Sequence, residues 1–512
     1  MRLTPSRYAA ALSALALLLS ACSSGSDREG DGSSSSPATS ADAGVALATD
    51  SAVPAAADAT DGGPLVTGPV TGGMEKIFTR SSADLAGHGF SEKEFFLEGS
   101  ATAYALTGAM GMDGKWSLSE ASKAPFKTRL LVRRPLDPSK FNGTVIVEWL
   151  NVSGSADGDP GFMYNSELIL REGYAYVGVS AQKVGVEGGG ISLGGAAAMP
   201  LKQYDPARYG SLAHPGDAYS YDIYSQAGQA LRAPQQVDLL EGLKPARLIA
   251  YGESQSAIRM VSYVNGVHPI VKRYDGFFIH SRGAGGAAFD DKGGGLAAGF
   301  GGPATRIRDD LNEKVFQFLT ETDVTGMLAF LPARQADSDT LRTWEVAGTS
   351  HADQYLVDFN ASMVTEGAVQ CNGANNGPQP RVIRAALQSL HLWLRDGTKP
   401  PLGDVLRTDS AGKSLKDELG NSLGGVRSPD VDVPIRTLSG DPPADGSGSF
   451  WCFLFGSTKP FTPDQLLALY PTHDDYVAKI QQAAQRAQAA GFLLPPEQQA
   501  FVTEAQNAHV PN

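Results

Sequence analysis

The sequence predicts an α/β chain with a mostly parallel central sheet, helices on both faces and a long C-terminal extension. Three observations carry this. Short apolar runs recur along the chain, helical stretches lie between several of them, and one run ends in a Gly-x-Ser-x-Ser turn that opens an amphipathic helix. Strands that alternate with helices pair in parallel and bury both faces of the sheet. With 42% hydrophobic residues over 512 positions, the chain can fill one large core.

The N-terminus comes first. Arg2 and Arg7 precede an apolar run from Tyr8 to Leu19, followed by Leu19-Ser20-Ala21-Cys22. A basic stretch, a short apolar run and small residues read as a secretory signal, and the run is too short to span a bilayer. The last four residues resemble a bacterial lipobox, in which the cysteine is lipidated; the alternative is an ordinary signal peptide. Residues 1–22 are therefore expected to be a lipoprotein signal with Cys22 as the lipidation site. Residues 23–72 are rich in Ser, Ala, Asp and Gly and nearly free of aromatics, the composition of a flexible tether. The catalytic domain is expected over 73–512, with inserts at about 183–216 and 400–475.

This organisation implies an exported protein of the cell envelope, touching the membrane only through its N-terminal lipid. Export places Cys371 and Cys452 in an oxidising compartment, where a disulfide between them is expected. A formal net charge of −13 and the lack of any Lys/Arg cluster argue against a nucleic-acid partner. No Cys/His cluster has zinc-ligand spacing, and no cofactor is called for.

Strands are expected at Phe95–Leu106, Phe126–Pro135, Gly143–Leu150, Tyr174–Ser180, Ala246–Tyr251, Gly276–Ile279, Val315–Leu319 and Leu341–Val346. A helix is expected over Ala218–Arg232. Gly252-Glu253-Ser254-Gln255-Ser256 follows a buried strand and precedes a helix with apolar positions at Ala257, Met260, Val261 and Val264, ended by Asn265-Gly266. This is the context of a nucleophile elbow. The turn is sharp, so residues two before and two after the serine must be small. Gly252 meets that demand, and Ser256 stands where a second glycine is usual. The elbow makes Ser254 the candidate nucleophile, with the backbone N–H of Gln255 aimed at a developing oxyanion. A plain N-cap serine is the alternative.

A serine hydroxyl needs an adjacent base, and the base needs an acid to orient it. After an elbow the order is serine, acid, histidine. Thr320-Glu321-Thr322-Asp323 follows a strand; Asp323, further into the loop, is preferred as the acid, with Glu321 as the alternative. His351 follows the Leu341–Val346 strand through Ala347-Gly348-Thr349-Ser350 and is the candidate base. His268 and His280 precede the acid, and His391 lies in a helical stretch. A second oxyanion donor is expected from the backbone around Asn151 or Val152.

Several segments together resemble the bacterial "alpha/beta hydrolase domain-containing" group: Thr128 to Pro135, Val147 to Val152, Gly173 to Gln182, Asp205 to Tyr209, His214 to Asp217, Gly252 to Ala257, Thr320 to Asp323, Gly348 to Asp353, Gly420 to Arg427 and Phe455 to Phe461. The resemblance runs from about residue 90 to the C-terminus. It implies an α/β-hydrolase fold with a Ser-acid-His triad, implies no particular substrate, and implies that Gly-x-Ser-x-Ser is the group's own form of the elbow.

Gly185–Gly195 resembles a phosphate loop only superficially and is expected to be a rim loop. The Tyr- and Asp-rich stretch Tyr204–Tyr224 is expected to be a hydrogen-bonded structural insert. Phe450, Trp451, Phe453 and Phe455 suit an acyl pocket or plain core, and residues 400–475 could fold back over the site. The expected activity is hydrolysis of a small-molecule carboxylic ester. Amide or lactone hydrolysis and acyl transfer would use the same residues, and a non-catalytic binding lipoprotein is the reading from another class.

Overall fold

The alternating run that begins at Phe90 builds the largest hairpin of the chain. In the computed structural model, which describes residues 63–78, 81–189, 199–290, 303–359, 371–443 and 450–511, β2 (Phe90–Leu106) and β3 (Leu118–Pro135) pair antiparallel along their whole length. Both strands exceed the sequence expectation. Residues 119–123 are exposed and, Ala121 aside, polar, so cross-strand pairing, and not burial, keeps them extended. β1 (Leu65–Thr67) pairs with β2 through Leu65↔Glu98. The expected tether over 23–72 is therefore corrected at its end: Val66 is buried, and this short stretch gains a ladder that composition alone does not announce. The signal, Cys22 and residues 23–62 lie outside the described residues.

The remaining strands and helices alternate as expected. β4 (Thr144–Trp149), α1 (Pro160–Glu172), β5 (Ala175–Val179), α2 (Ser220–Arg232), β6 (Arg247–Glu253) and α3 (Gln255–Ser262) follow. Then come β7 (Gly276–His280), β8 (Lys314–Thr320), α4 (Glu321–Thr325), β9 (Leu341–Val346) and α5 (Gln379–Asp396). β10 (Arg436–Ser439) and β11 (Ser457–Pro460) form a separate two-stranded sheet, and α6 (His473–Ala489) and α7 (Pro495–Asn507) end the chain.

The main sheet runs β1-β2-β3-β5-β4-β6-β7-β8-β9, antiparallel up to β5 and parallel from β5 to β9. Side chains alternate between two cores, as the strand period of two requires. Val145, Val147, Leu248, Ala250, Phe277 and Ile279 pack against α2 and α3. Ile146, Ile249, Tyr251, Phe278 and Phe316 pack against α1, α5, α6 and α7. The carboxyl ends of the parallel strands share one edge, where α/β sheets bind ligands.

Asn265-Gly266 does not end the helix after the elbow. The chain passes from α3 through a π-helical turn, Tyr263–Val267, into a further helical turn that stops at Lys272. Asn265 spends its side chain outside the helix, donating to Arg306 O at 2.8 Å and accepting from Arg308 N at 3.1 Å. Gly266 is there for space: a Cβ would lie 2.8 Å from the Phe289 ring and 2.9 Å from Leu118.

The extension after α5 packs against the loops that follow β8 and β9. Gly440 N–H donates to Glu321, Ala352 N–H donates to Leu454 O at 2.9 Å, and Asn375 N–H donates to Phe455 O at 2.8 Å. Cys371 and Cys452 form a disulfide across 81 residues of sequence. Because the bond closes so long a loop, the Cys371→Ser/Cys452→Ser variant is expected to lose about 4 kcal/mol of unfolding stability; urea denaturation with and without reductant measures it, and reductant should not destabilise the variant further.

Candidate active site

β6 delivers Ser254 to the sheet edge. The strand ends at Glu253, and Ser254 turns with φ 56° and ψ −120° before α3 begins. That left-handed φ is rare for a residue with a side chain. Ser254 N–H donates to His280 O at 2.9 Å, on the neighbouring strand β7, which fixes the turn. A Cβ at Gly252 would stand 2.7 Å from Ser256 O and 3.1 Å from Ala257 N, so glycine is required there. Ser256, in place of a second glycine, is fully buried, and its Oγ donates to Leu150 O at 3.3 Å. The hydroxyl thus ties the elbow to the end of β4.

The structure brings Ser254, His351 and Asp323 together. Ser254 Oγ lies 2.7 Å from His351 Nε2, and His351 Nδ1 lies 2.6 Å from Asp323 Oδ1. With the carboxylate accepting from Nδ1–H, Nε2 presents its lone pair to the serine hydroxyl. Ser254 is half-buried, whereas His351 and Asp323 are buried. Asp323 is held by its own helix: Oδ2 accepts from Thr320 N at 2.7 Å, and Thr320 Oγ1 accepts from Asp323 N in return. This capping box leaves Oδ1 for the imidazole.

Glu321, the alternative acid, faces elsewhere. Its Oε1 accepts from Gly348 N at 2.6 Å, and its Oε2 accepts from Gly440 N and Lys416 Nζ, both at 3.0 Å. It ties the His351 loop to the C-terminal extension. Burial disfavours the charged form of His351, but the Asp323 carboxylate, its hydrogen bond and the Glu253 carboxyl outweigh it and raise the imidazole above the ordinary histidine pKa.

Gln255 N–H is the first amide of α3 and has no intrahelical acceptor. The expectation for Asn151 is corrected. Its N–H donates to Gly158 O at 2.9 Å, and its C=O accepts from Gly158 N at 2.8 Å, so its backbone is consumed by a β-bridge. Its side chain instead donates to Glu253, to Oε2 at 2.9 Å and to the carbonyl at 3.2 Å. Glu253 is the residue that sequence reasoning missed. Its Oε1 lies 4.0 Å from His351 Nε2, and burial pushes its pKa up to about 7 against the favourable pull of His351 and Asn151. The only signal was an acid next to the serine, at the end of an otherwise apolar strand.

The other four buried histidines are structural. His391 bonds Thr144 Oγ1, His214 bonds Ala181 O, and His280 bonds Tyr251 O–H. His268 packs edge-on against Phe277. Gly185–Glu187, the start of the expected rim loop, belongs to a short helix, Lys183–Glu187, whose first amide donates to Asp217; residues 190–195 lie outside the described residues. Tyr204–Tyr224 is a hydrogen-bonded insert: Asp205 accepts from Met74 N and caps Pro206–Tyr209, Asp217 pairs with Arg259, and Asp222 accepts from Thr102 N. Phe453 is buried and Phe455 half-buried, while the side chains of Phe450 and Trp451 lie outside the described residues.

Among curated proteins none matches the sequence. Solved structures do. One described as a dienelactone hydrolase from Klebsiella pneumoniae is 12% identical, with 59% of this chain and 99% of that one covered and a TM-score of 0.29. A glucuronoyl esterase from Solibacter usitatus is 12% identical over 57% and 86%, with a TM-score of 0.26. The rice cell wall degrading esterase LipA from Xanthomonas oryzae is 11% identical over 38% of this chain and less than half, 43%, of its own, with a TM-score of 0.22. The alpha/beta hydrolase domain family matches residues 66–503, which include every strand from β2 to β11 and all three residues of the Ser254–His351–Asp323 chain, and the protein belongs to that family.

Proposed function

We propose that the protein is a serine hydrolase that cleaves small carboxylic esters through an acyl-enzyme on Ser254. The observation that carries this reading is the continuous chain Ser254 Oγ–His351 Nε2 and His351 Nδ1–Asp323 Oδ1, at 2.7 and 2.6 Å, standing on a strained turn between strand and helix. His351 takes the serine proton as Oγ attacks the ester carbonyl. Asp323 keeps the imidazole in the tautomer that can accept it and stabilises the cation that results. The oxyanion is met by the N–H of Gln255 and by that of Val152, which has no acceptor among the described residues. The protonated base then gives its proton to the departing alcohol, and water activated by His351 releases the acid.

Export and lipid anchoring at Cys22 belong to the same reading. The Cys371–Cys452 disulfide supports it, because such bonds persist in oxidising compartments.

A fluorophosphonate probe is expected to label the wild type on one residue and to leave Ser254→Ala unlabelled. Labelling of the alanine variant, or none of the wild type, would sink the hydrolase reading. The two acids separate by substitution. Asp323→Asn, which favours the wrong tautomer, is expected to lower kcat/KM on a p-nitrophenyl ester by about 10⁴-fold. Glu321→Gln should keep activity within about tenfold while losing about 1–3 kcal/mol of stability, since it removes the charge that pairs half-buried Lys416. For the anchor, radiolabelled palmitate should enter the wild type in a bacterial host and fail to enter Cys22→Ala; equal incorporation would refute lipidation at that residue.

A further inference from the structure

Glu253 is unused by the chemistry above, yet it is placed with care. Its side chain is nearly buried at the carboxyl end of β6. Oε1 stands 4.0 Å from His351 Nε2, the same nitrogen that meets Ser254 Oγ. Oε2 accepts from Asn151 Nδ2 at 2.9 Å. Asn151 is itself fixed on three sides: its Oδ1 accepts from Ser153 N at 2.7 Å, and both backbone groups are bonded to Gly158. A buried carboxylate held this firmly is costly unless a cation answers it. Among the described residues, the group in reach that can become one is His351.

The other titratable groups around it are neutral or negative. His280, in register with Glu253 on β7, is kept uncharged by burial. Tyr164 on α1 and Tyr251 on β6 are held as phenols by burial. Asp323 sits on the far edge of the imidazole. His351 thus lies between two carboxylates, Asp323 on the Nδ1 side and Glu253 on the Nε2 side.

We propose that Glu253 is a positioning residue that stabilises the His351 imidazolium from the Nε2 side, and that Asn151 holds it in place. This rests on the serine-hydrolase reading of Ser254 and His351. As Oγ bonds to the carbonyl carbon, its proton passes to Nε2 and the ring becomes cationic between the two carboxylates. When the tetrahedral intermediate collapses, the C–O bond to the alcohol breaks and the same proton leaves Nε2 for the alkoxide. Glu253 gains and loses nothing in this cycle; it supplies field. The same field favours protonated His351 in the resting enzyme, so the acid contributes in opposite directions. It assists the transition state, and it moves the onset of activity to higher pH. Burial puts the carboxyl's own titration at about 7, so acid and base titrate as a coupled pair.

The test follows the rate of fluorophosphonate labelling of Ser254 against pH, which needs no knowledge of the natural substrate. Labelling requires neutral His351, and that residue's pKa is raised, so the wild-type rate should climb through a limb above the ordinary histidine value of about 6.5. In Glu253→Gln, which keeps an acceptor for Asn151, the limb should move down by about one pH unit and the plateau fall about tenfold. Glu253→Asp should retain most of the wild-type limb. Asn151→Ala leaves the acid unheld; it should shift the limb the same way by less, and it serves if Glu253→Gln does not fold. A limb that stays in place in Glu253→Gln, with or without a lower plateau or melting temperature, overturns the proposal. A wild type that is not labelled at Ser254 at any pH overturns the hydrolase reading beneath it, a result distinct from the first.

Discussion

Ser254 holds a backbone conformation that costs on the order of 1–3 kcal/mol, and the surrounding fold is arranged to keep it there. The amide is pinned to β7 through His280 O. The close approach of the helix start to Gly252 leaves no room for a Cβ. The hydroxyl of Ser256 reaches Leu150 at the end of β4. Released from any of these, the turn would relax toward an ordinary helix start, and Oγ would swing away from His351. The parallel sheet matters to the site in this sense: it is the rigid object against which one unfavourable dihedral can be held.

The acid side shows two carboxylates two residues apart with separate duties. Asp323 is locked in a capping box, so its orientation is set by four residues of local sequence. Glu321 reaches outward and binds the backbone of the His351 loop and of the extension at once. Burying it is tolerable because Lys416 and two amide donors meet its charge. The consequence is mechanical. The loop that carries His351 is located by residues far along the chain, and the disulfide ties Cys371 to the same extension.

Behind Asn151 and Val152, the hairpin supplies a second anchor. Arg129 is fully buried; it pairs with Asp157 at 2.7 Å and Glu94 at 3.1 Å, and Arg133 pairs with Asp159 and Glu92. Asp157 and Asp159 flank Gly158, the residue that bridges to Asn151. Removing one partner of such a pair costs about 3–5 kcal/mol. The arginines of β3 thereby fix the loop on which Asn151 and Val152 sit.

Local pattern determined a good deal by itself. Apolar runs bounded by turns located β4 to β9, since a doubly covered strand must be apolar on both sides. Strand–Gly-x-Ser–helix located the elbow, since only small residues survive at that bend. Chain order then singled out His351, and placement in the loop favoured Asp323 over Glu321. What pattern could not supply were facts created by distant approach. The polar tip of β3 is a strand because β2 lies beside it. Leu65–Thr67 is a strand because it finds an edge, and Gly266 sits inside a continuing helix where Phe289 and Leu118 leave no room for a side chain. The side chain of Asn151 reaches Glu253, and Glu253 comes to face His351. A side chain's partner across the fold is set by packing of segments a hundred residues apart, and no local period encodes it.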